Sequence, residues 1–424
     1  MLAARTSNAR CVKRIARSFA TVVDAAGVKV AAVDRNQPTA SVTLFIKAGT
    51  RFETKEGVAN ALKNFAFKTT ANRSSIGTVR ESELYGGLLY STLDREHLAL
   101  TAEFLRADAP YFVDVLTSFV TSAVFTRHEF EEVVAPLVAS DTAAAAHNPA
   151  ARAIDIAHNL AFRSGLGSSL FAPEHSKITV DDIKSFATAT FSKNNVAVVG
   201  TGIDQATLSN LVEKGFAKAK ADATATSAPA SKYFGGETRL GGHGGPQTAF
   251  IGFGTTAAAS AELAVLAAHL SPVPSVKWSK GLSPLSSLPQ GTSVTPVNLT
   301  YSDASLFGLL VQGSTAEGVK EAGTAVVAAL KAAAKGIAPE VFTSAVAKAK
   351  FAAASATDTR EGVIAALGSK IFSTTPGTLD ASLSSLEAVS ATAFSKAAAT
   401  LIAAKPTYVT IGDAQLPFAD ELGL

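Results

Sequence analysis

The chain has 424 residues and a formal charge of +3, with a single cysteine, Cys11, and 47% apolar residues. Such a length divides into two or more domains. One cysteine excludes a cysteine-held iron–sulfur cluster, Cys-x-x-Cys-His haem attachment and an internal disulfide, and the sequence has no uninterrupted apolar run of about 18 residues to span a membrane.

At the N-terminus, Arg5, Arg10, Lys13, Arg14 and Arg17 precede the first acid, Asp24. On a helix, Arg10, Lys13, Arg14 and Arg17 share one stripe, and Val12, Ile15 and Phe19 lie off it. This is the acid-poor amphipathic pattern of a mitochondrial transit peptide. Arg17-Ser18-Phe19 is similar to a matrix cleavage signal, so residues 1–19 are expected to be removed and Ala20 to begin the mature chain. Loss of the five basic residues takes the charge from +3 to −2. The remaining Lys and Arg form no stripe interleaved with aromatics, and no nucleic-acid partner is expected.

Residues 20–218 are expected to form the first domain. Ser41 to Thr50 alternates as a strand ending in Gly-Thr. Gly57 to Thr70 reads as a helix, on which Asn60, Lys63 and Asn64 have the spacing of the inverted zinc-peptidase motif H-x-x-E-H, where two histidines hold the metal and the glutamate polarises the attacking water. Carboxamides are poor zinc ligands, and an ammonium at the base position repels a dication. The same residues also fit the solvated face of an amphipathic helix. Leu89-Tyr-Ser-Thr-Leu introduces a second strand, Ala157-His-Asn-Leu-Ala-Phe ends a long alanine-rich helix, and Val196-Ala-Val-Val-Gly gives a last strand.

Ala219 to Ser231 is low in complexity, and residues 219–232 read as a linker. In residues 233–424 the same order recurs: Thr248-Ala-Phe-Ile-Gly-Phe-Gly-Thr, Leu299-Thr-Tyr-Ser-Asp, Leu367-Gly-Ser-Lys-Ile-Phe and Tyr408-Val-Thr-Ile-Gly, displaced from their counterparts by 206, 211, 210 and 212 residues. Thr324 to Ala338, interrupted by Lys331 and Lys335, reads as a packed helix. The fold expected is α+β: two duplicated domains, each a mainly antiparallel sheet with long helices packed on one face.

Other chemistry is not supported. Gly241-Gly-His-Gly-Gly-Pro lacks the Gly-Lys-Ser/Thr ending of a phosphate loop and reads as the start or bend of a strand. The histidines, His97, His128, His147, His158, His175, His243 and His269, form no close pair in sequence, and there is no Gly-x-Ser-x-Gly elbow. No catalytic, cofactor-binding or metal-ligating residue is expected, and no cofactor.

Ala48-Gly-Thr-Arg-Phe-Glu, the Gly57 to Thr70 segment and the strand beginning Gly86-Gly-Leu-Leu-Tyr resemble the first domain of the pitrilysin-type metallopeptidases, which include the mitochondrial processing peptidase and pair two such domains per chain. The family's third zinc ligand is a glutamate on a later helix. Asp141 stands 77 residues past Asn64 and reads as a polar residue on an alanine-rich helix. Within this family, Val297-Asn-Leu-Thr-Tyr-Ser-Asp-Ala-Ser-Leu-Phe-Gly, Ser140-Asp-Thr-Ala-Ala-Ala-Ala-His-Asn-Pro, Leu160-Ala-Phe-Arg and Pro417-Phe-Ala-Asp-Glu-Leu are similar to the core proteins of mitochondrial ubiquinol–cytochrome c reductase, complex III. The resemblance implies an inactive peptidase homologue serving as a structural and assembly subunit on the matrix side of the inner membrane. It also implies pairing with core protein 1 and support of cytochrome b, cytochrome c1, the Rieske protein and small subunits in a dimeric complex. The alternative is a non-catalytic presequence-binding subunit of a processing peptidase. That subunit uses a glycine-rich loop, whereas Gly281 to Gly291 is rich in Ser, Leu and Pro.

Overall fold

The computed structural model describes residues 22–173, 176–217, 228–242, 245–256, 260–274, 283–372 and 379–424. The expected transit peptide, most of the expected linker, His175 and His243 lie outside the described residues.

Two sheets organise the chain. The first contains β1 (Val23–Ala25), β2 (Val28–Val33), β3 (Thr39–Ile46), β4 (Leu88–Leu93), β5 (Leu98–Leu105) and β6 (Val196–Thr201) in the order β1-β2-β6-β3-β5-β4. The second contains β7 (Gly236–Gly241), β8 (Gln247–Thr255), β9 (Thr292–Thr300), β10 (Ser305–Gly313) and β11 (Thr407–Gly412) in the order β7-β11-β8-β10-β9. Apart from β1 the two orders correspond strand for strand. The single parallel pair, β2 with β6 and β7 with β11, falls at the same place in each. The duplication and the mainly antiparallel sheets are as expected. One landmark shifts: Leu89 to Leu93 lies within β4, whereas Leu299 and Thr300 end β9 and Tyr301 to Asp303 form the following turn. The Tyr-Ser strings therefore mark the same hairpin in both halves at different depths.

The helices follow the sequence punctuation. In the first half those of seven residues or more are α1 (Val58–Asn64), α2 (Ser75–Leu84), α3 (Ala109–Ser122), α4 (Ala135–Ala146), α5 (Pro149–Phe162), α6 (Val180–Thr190) and α7 (Gln205–Gly215). In the second they are α8 (Ala261–Leu270), α9 (Ala316–Lys335), α10 (Pro339–Ala356), α11 (Arg360–Ile371), α12 (Leu379–Glu387) and α13 (Ala391–Ala403). The expected alanine-rich helix ending at Phe162 is α5. Pro149 cannot continue α4 and instead opens α5, with the Asn148 side chain accepting from the amides of Ala150 and Ala151. Thr324 to Ala338 belongs to α9, which ends at Lys335 and buries Val326, Val327, Leu330 and Ala333.

Strand alternation decides which half covers which face. On β3, Val42, Leu44 and Ile46 point to one face and pack, with Leu98, Leu100 and Val198, against α1, α3, α6 and α7 of the same half. Phe45, Ala31, Ala197 and Val199 point to the other face, where they meet Ile364 and Ile371 of α11, a helix of the second half. The exchange is reciprocal. Phe250, Leu306, Leu310, Val409 and Ile411 of the second sheet pack on Ala153, Ala157, Ala161 and Phe162 of α5, a helix of the first half. Each sheet thus has its own helices on one face, as expected, and a helix from the other half on the opposite face. Gly368 makes the approach of α11 possible, since a Cβ there would lie 2.2 Å from Cζ of Phe45.

Candidate functional site: a zinc-peptidase remnant and the domain junction

The remnant is built on α1. Gly57 opens it at φ +87°, a left-handed conformation that glycine adopts without steric cost. Glu53 Oε2 accepts from the amides of Gly57 at 3.1 Å and Ala59 at 3.4 Å. Burial pushes the Glu53 carboxyl up to about 8 against the lowering effect of those amides. The helix ends at Asn64, earlier than the expected Thr70. Phe65, only 2% exposed, turns inward against Phe125 and Phe130, and Phe67 takes φ +61°, which breaks the helical path.

The three motif positions are not a solvated face. Asn60 is 2% exposed, and its Nδ2 donates to the Leu170 carbonyl at 3.0 Å. Asn64 Nδ2 donates to Asn60 Oδ1 at 2.9 Å and to Asp141 Oδ2 at 3.1 Å. Lys63 Nζ reaches the same Asp141 oxygen at 2.6 Å. The reading of Asp141 as an ordinary polar residue on an alanine-rich helix is therefore corrected: α4 places it against all that is left of the motif. An ammonium on the chain lies beside the one acid, and two carboxamides stand at the flanking positions. This arrangement has no base to polarise water and no pair of imidazoles to hold a cation. Among the described residues no group of three or more His, Cys, Asp or Glu converges as a metal set, and no helix is long and apolar enough to cross a membrane.

A denser polar cluster lies where the two halves meet, at the corresponding hairpin turns Asp94 to His97 and Tyr301 to Ala304. Arg51 is central. Its Nη1 donates to Glu96 Oε1 at 2.7 Å, Asp303 Oδ1 at 2.8 Å and Ser302 Oγ at 3.1 Å, and its Nη2 to Asp303 Oδ2 at 2.7 Å and the Pro229 carbonyl at 3.2 Å. Ser231 closes the other side of Asp303 through its amide at 2.9 Å and its hydroxyl at 3.1 Å. Glu96 Oε2 accepts from the Ser302 amide at 3.0 Å. Burial works to lower the Arg51 pKa and to raise that of Asp303. Their bidentate pairing outweighs it, holding the guanidinium above and the carboxyl below their ordinary values.

Beside this pair, Arg95, 1% exposed, reaches Asp155 at 2.7 Å and the carbonyls of Leu166 and Ser168. His158 Nδ1 donates to the Ile154 carbonyl at 2.7 Å, and Nε2 accepts from the Tyr301 hydroxyl at 2.8 Å. Burial and the nearby Arg95 charge push His158 down to about 3, so the ring is neutral, and burial pushes the Tyr301 hydroxyl upward. His97 stacks on Phe372 across the junction at 5.1 Å. The turn strings carried no motif for this cluster. Its only signal in the sequence was that Arg51 and Ser302-Asp303 lie inside two of the strings that resemble the family.

The family model of the insulinase peptidases (peptidase family M16) matches residues 29–174, and that of the peptidase M16 inactive domain matches residues 177–348. The chain is 43% identical to a protein of Cryptococcus neoformans var. grubii named cytochrome b-c1 complex subunit 2, mitochondrial, over 96% of this chain and 95% of that one. Proteins of the same name from Yarrowia lipolytica and Neurospora crassa are 36% and 37% identical, over 96% and 94% of this chain and 97% and 90% of theirs. The chain belongs to the M16 peptidase family, in the group of mitochondrial cytochrome b-c1 complex subunit 2 proteins.

Proposed function

We propose that the chain is core protein 2 of mitochondrial ubiquinol–cytochrome c reductase, a non-catalytic structural and assembly subunit of the respiratory chain and not an enzyme. The observation that carries the proposal is Lys63 paired with Asp141 between Asn60 and Asn64, which leaves a peptidase fold without peptidase chemistry. Nearly full-length similarity to complex subunits in three fungi supports it. In this reading residues 1–19 direct import and are removed, residues 20–218 and 233–424 are the two domains, and 219–232 joins them. The body sits peripherally on the matrix side of the inner membrane, beside core protein 1, cytochrome b, cytochrome c1, the Rieske protein and small subunits of a dimeric complex III.

Deleting the gene tests this. Assembled complex and quinol–cytochrome c reductase activity should fall together, with activity per remaining haem b nearly unchanged. Normal complex abundance with a selective failure of presequence cleavage would refute the proposal and favour a presequence-binding subunit of a processing peptidase. N-terminal sequencing of the mitochondrial protein should find Ala20, and an intact Met1 terminus would refute the import reading.

A further inference from the structure

We infer that each half of the chain is a preformed binding surface for the other, so that the halves remain assembled as two separate polypeptides once the chain between residues 217 and 228 is cut. The complementary face on the first half is α5 together with the Arg51–Glu96 pocket. On the second half it is α11 together with the Tyr301 to Asp303 turn.

Three observations carry the inference. The apolar exchange is reciprocal: Ile364 and Ile371 of α11 complete the core above Phe45 and Val199, and Ala157 and Phe162 of α5 complete the one above Phe250 and Val409. Withdrawing either half would expose a sheet face of the other, and an exposed face of that kind drives association. The polar contacts cross the same boundary and are directional. Arg51 of the first half holds Asp303 and Ser302 of the second and the Pro229 carbonyl of the joining segment, and Glu96 holds the Ser302 amide. At the two outer ends, the Phe234 amide donates to the Ala161 carbonyl at 2.8 Å, and Lys29 Nζ donates to the Ile371 carbonyl at 3.1 Å. Finally, Pro229 and Ser231 are bound to Arg51 and Asp303, so a cut placed before residue 228 leaves the clamp intact on both sides.

The test uses the full chain with a site-specific protease sequence introduced within residues 218–227 and cleaved after folding. Size-exclusion chromatography and native mass spectrometry should find the two fragments as one species with the 43.4 kDa mass of the intact chain plus the inserted sequence, and thermal unfolding should remain a single transition. Separation of the fragments on cleavage, or two independent transitions, would overturn the inference. The same cleavage on Arg51→Gln and Ile364→Ala variants should give fragments that dissociate on dilution where wild type does not. Dissociation no different from wild type in both variants would show that other contacts hold the halves and would overturn the surfaces assigned.

Discussion

The remnant lies within the first domain and the junction between the two domains; both are clusters of charges and hydrogen-bonding groups, yet their burial differs. At the remnant the Lys63 and Asp141 side chains are 19% and 33% exposed, and one ion pair with two carboxamides completes the group. At the junction Arg51 and Glu96 are 5% and 10% exposed and Asp303 31%, and each acid holds a further donor, Glu96 the Ser302 amide and Asp303 the Ser231 amide. Charges removed from water must be compensated by partners in place, whereas a partly wet pair is screened whether or not it forms. Where the family places its chemistry, this chain keeps a tolerant contact. Its demanding electrostatics lie where two domains become one body.

The comparison breaks most sharply at Arg51. Arg51→Ala leaves buried Glu96 and half-buried Asp303 without their cation, and the loss in unfolding free energy should be about 3 kcal/mol by denaturant titration. A loss under about 1 kcal/mol would place the junction in the same class as the remnant. Arg51→Lys should rescue only partly, since an ammonium cannot reproduce the bidentate grip on Asp303.

Next in size is Tyr301→Phe, which leaves Nε2 of buried His158 without a donor and should cost about 1–3 kcal/mol. His158 itself makes the junction acid-sensitive. With the ring held down at about 3 in the fold and near 6.5 when unfolded, its stabilising contribution is complete above 6.5 and declines as the pH falls toward 3. His158→Gln should flatten stability against pH across that window.

The remnant region should respond in the opposite sense. Glu53 is raised from 4.5 to about 8, so its contribution is present below 4.5 and is lost as the pH rises through about 8. Glu53→Gln keeps an acceptor for the amides of Gly57 and Ala59. It should raise the melting temperature at pH 8 and above relative to wild type while changing little at pH 5, and a uniform shift at all pH values would contradict this assignment. The smallest effect belongs to Lys63→Ala, at about 1 kcal/mol or less, with complex III assembly unchanged. A large assembly defect in that variant would mean that the remnant, and not the junction, supports the function.

Much of this was legible in the residues. The strands were visible because Thr39 to Ile46 and Gln247 to Thr255 combine alternation with β-branched and aromatic residues, and the duplication followed from landmarks displaced by nearly constant intervals. The loss of the zinc motif was legible at Asn60, Lys63 and Asn64, because chemistry at fixed spacing on one helix is a local property. The end of α1 was not, since the turn at Phe67 is imposed by where Phe65 finds its aromatic partners.

The sequence by itself determined the element types, the twofold plan and the replacement of the zinc motif's two histidines and glutamate by Asn60, Asn64 and Lys63, because each depends on residues close together along the chain. Only the tertiary structure decided that Asp141 closes on Lys63 across 78 residues, that Arg51 closes on Asp303 across 252, and that α5 and α11 each cover the other half's sheet. A strand with consecutive apolar residues, such as Leu44, Phe45 and Ile46 of β3, records that both of its faces can be buried, but not which helix will cover the second one. That choice is fixed by the packing of the whole chain, where the two halves bury faces that neither can bury alone.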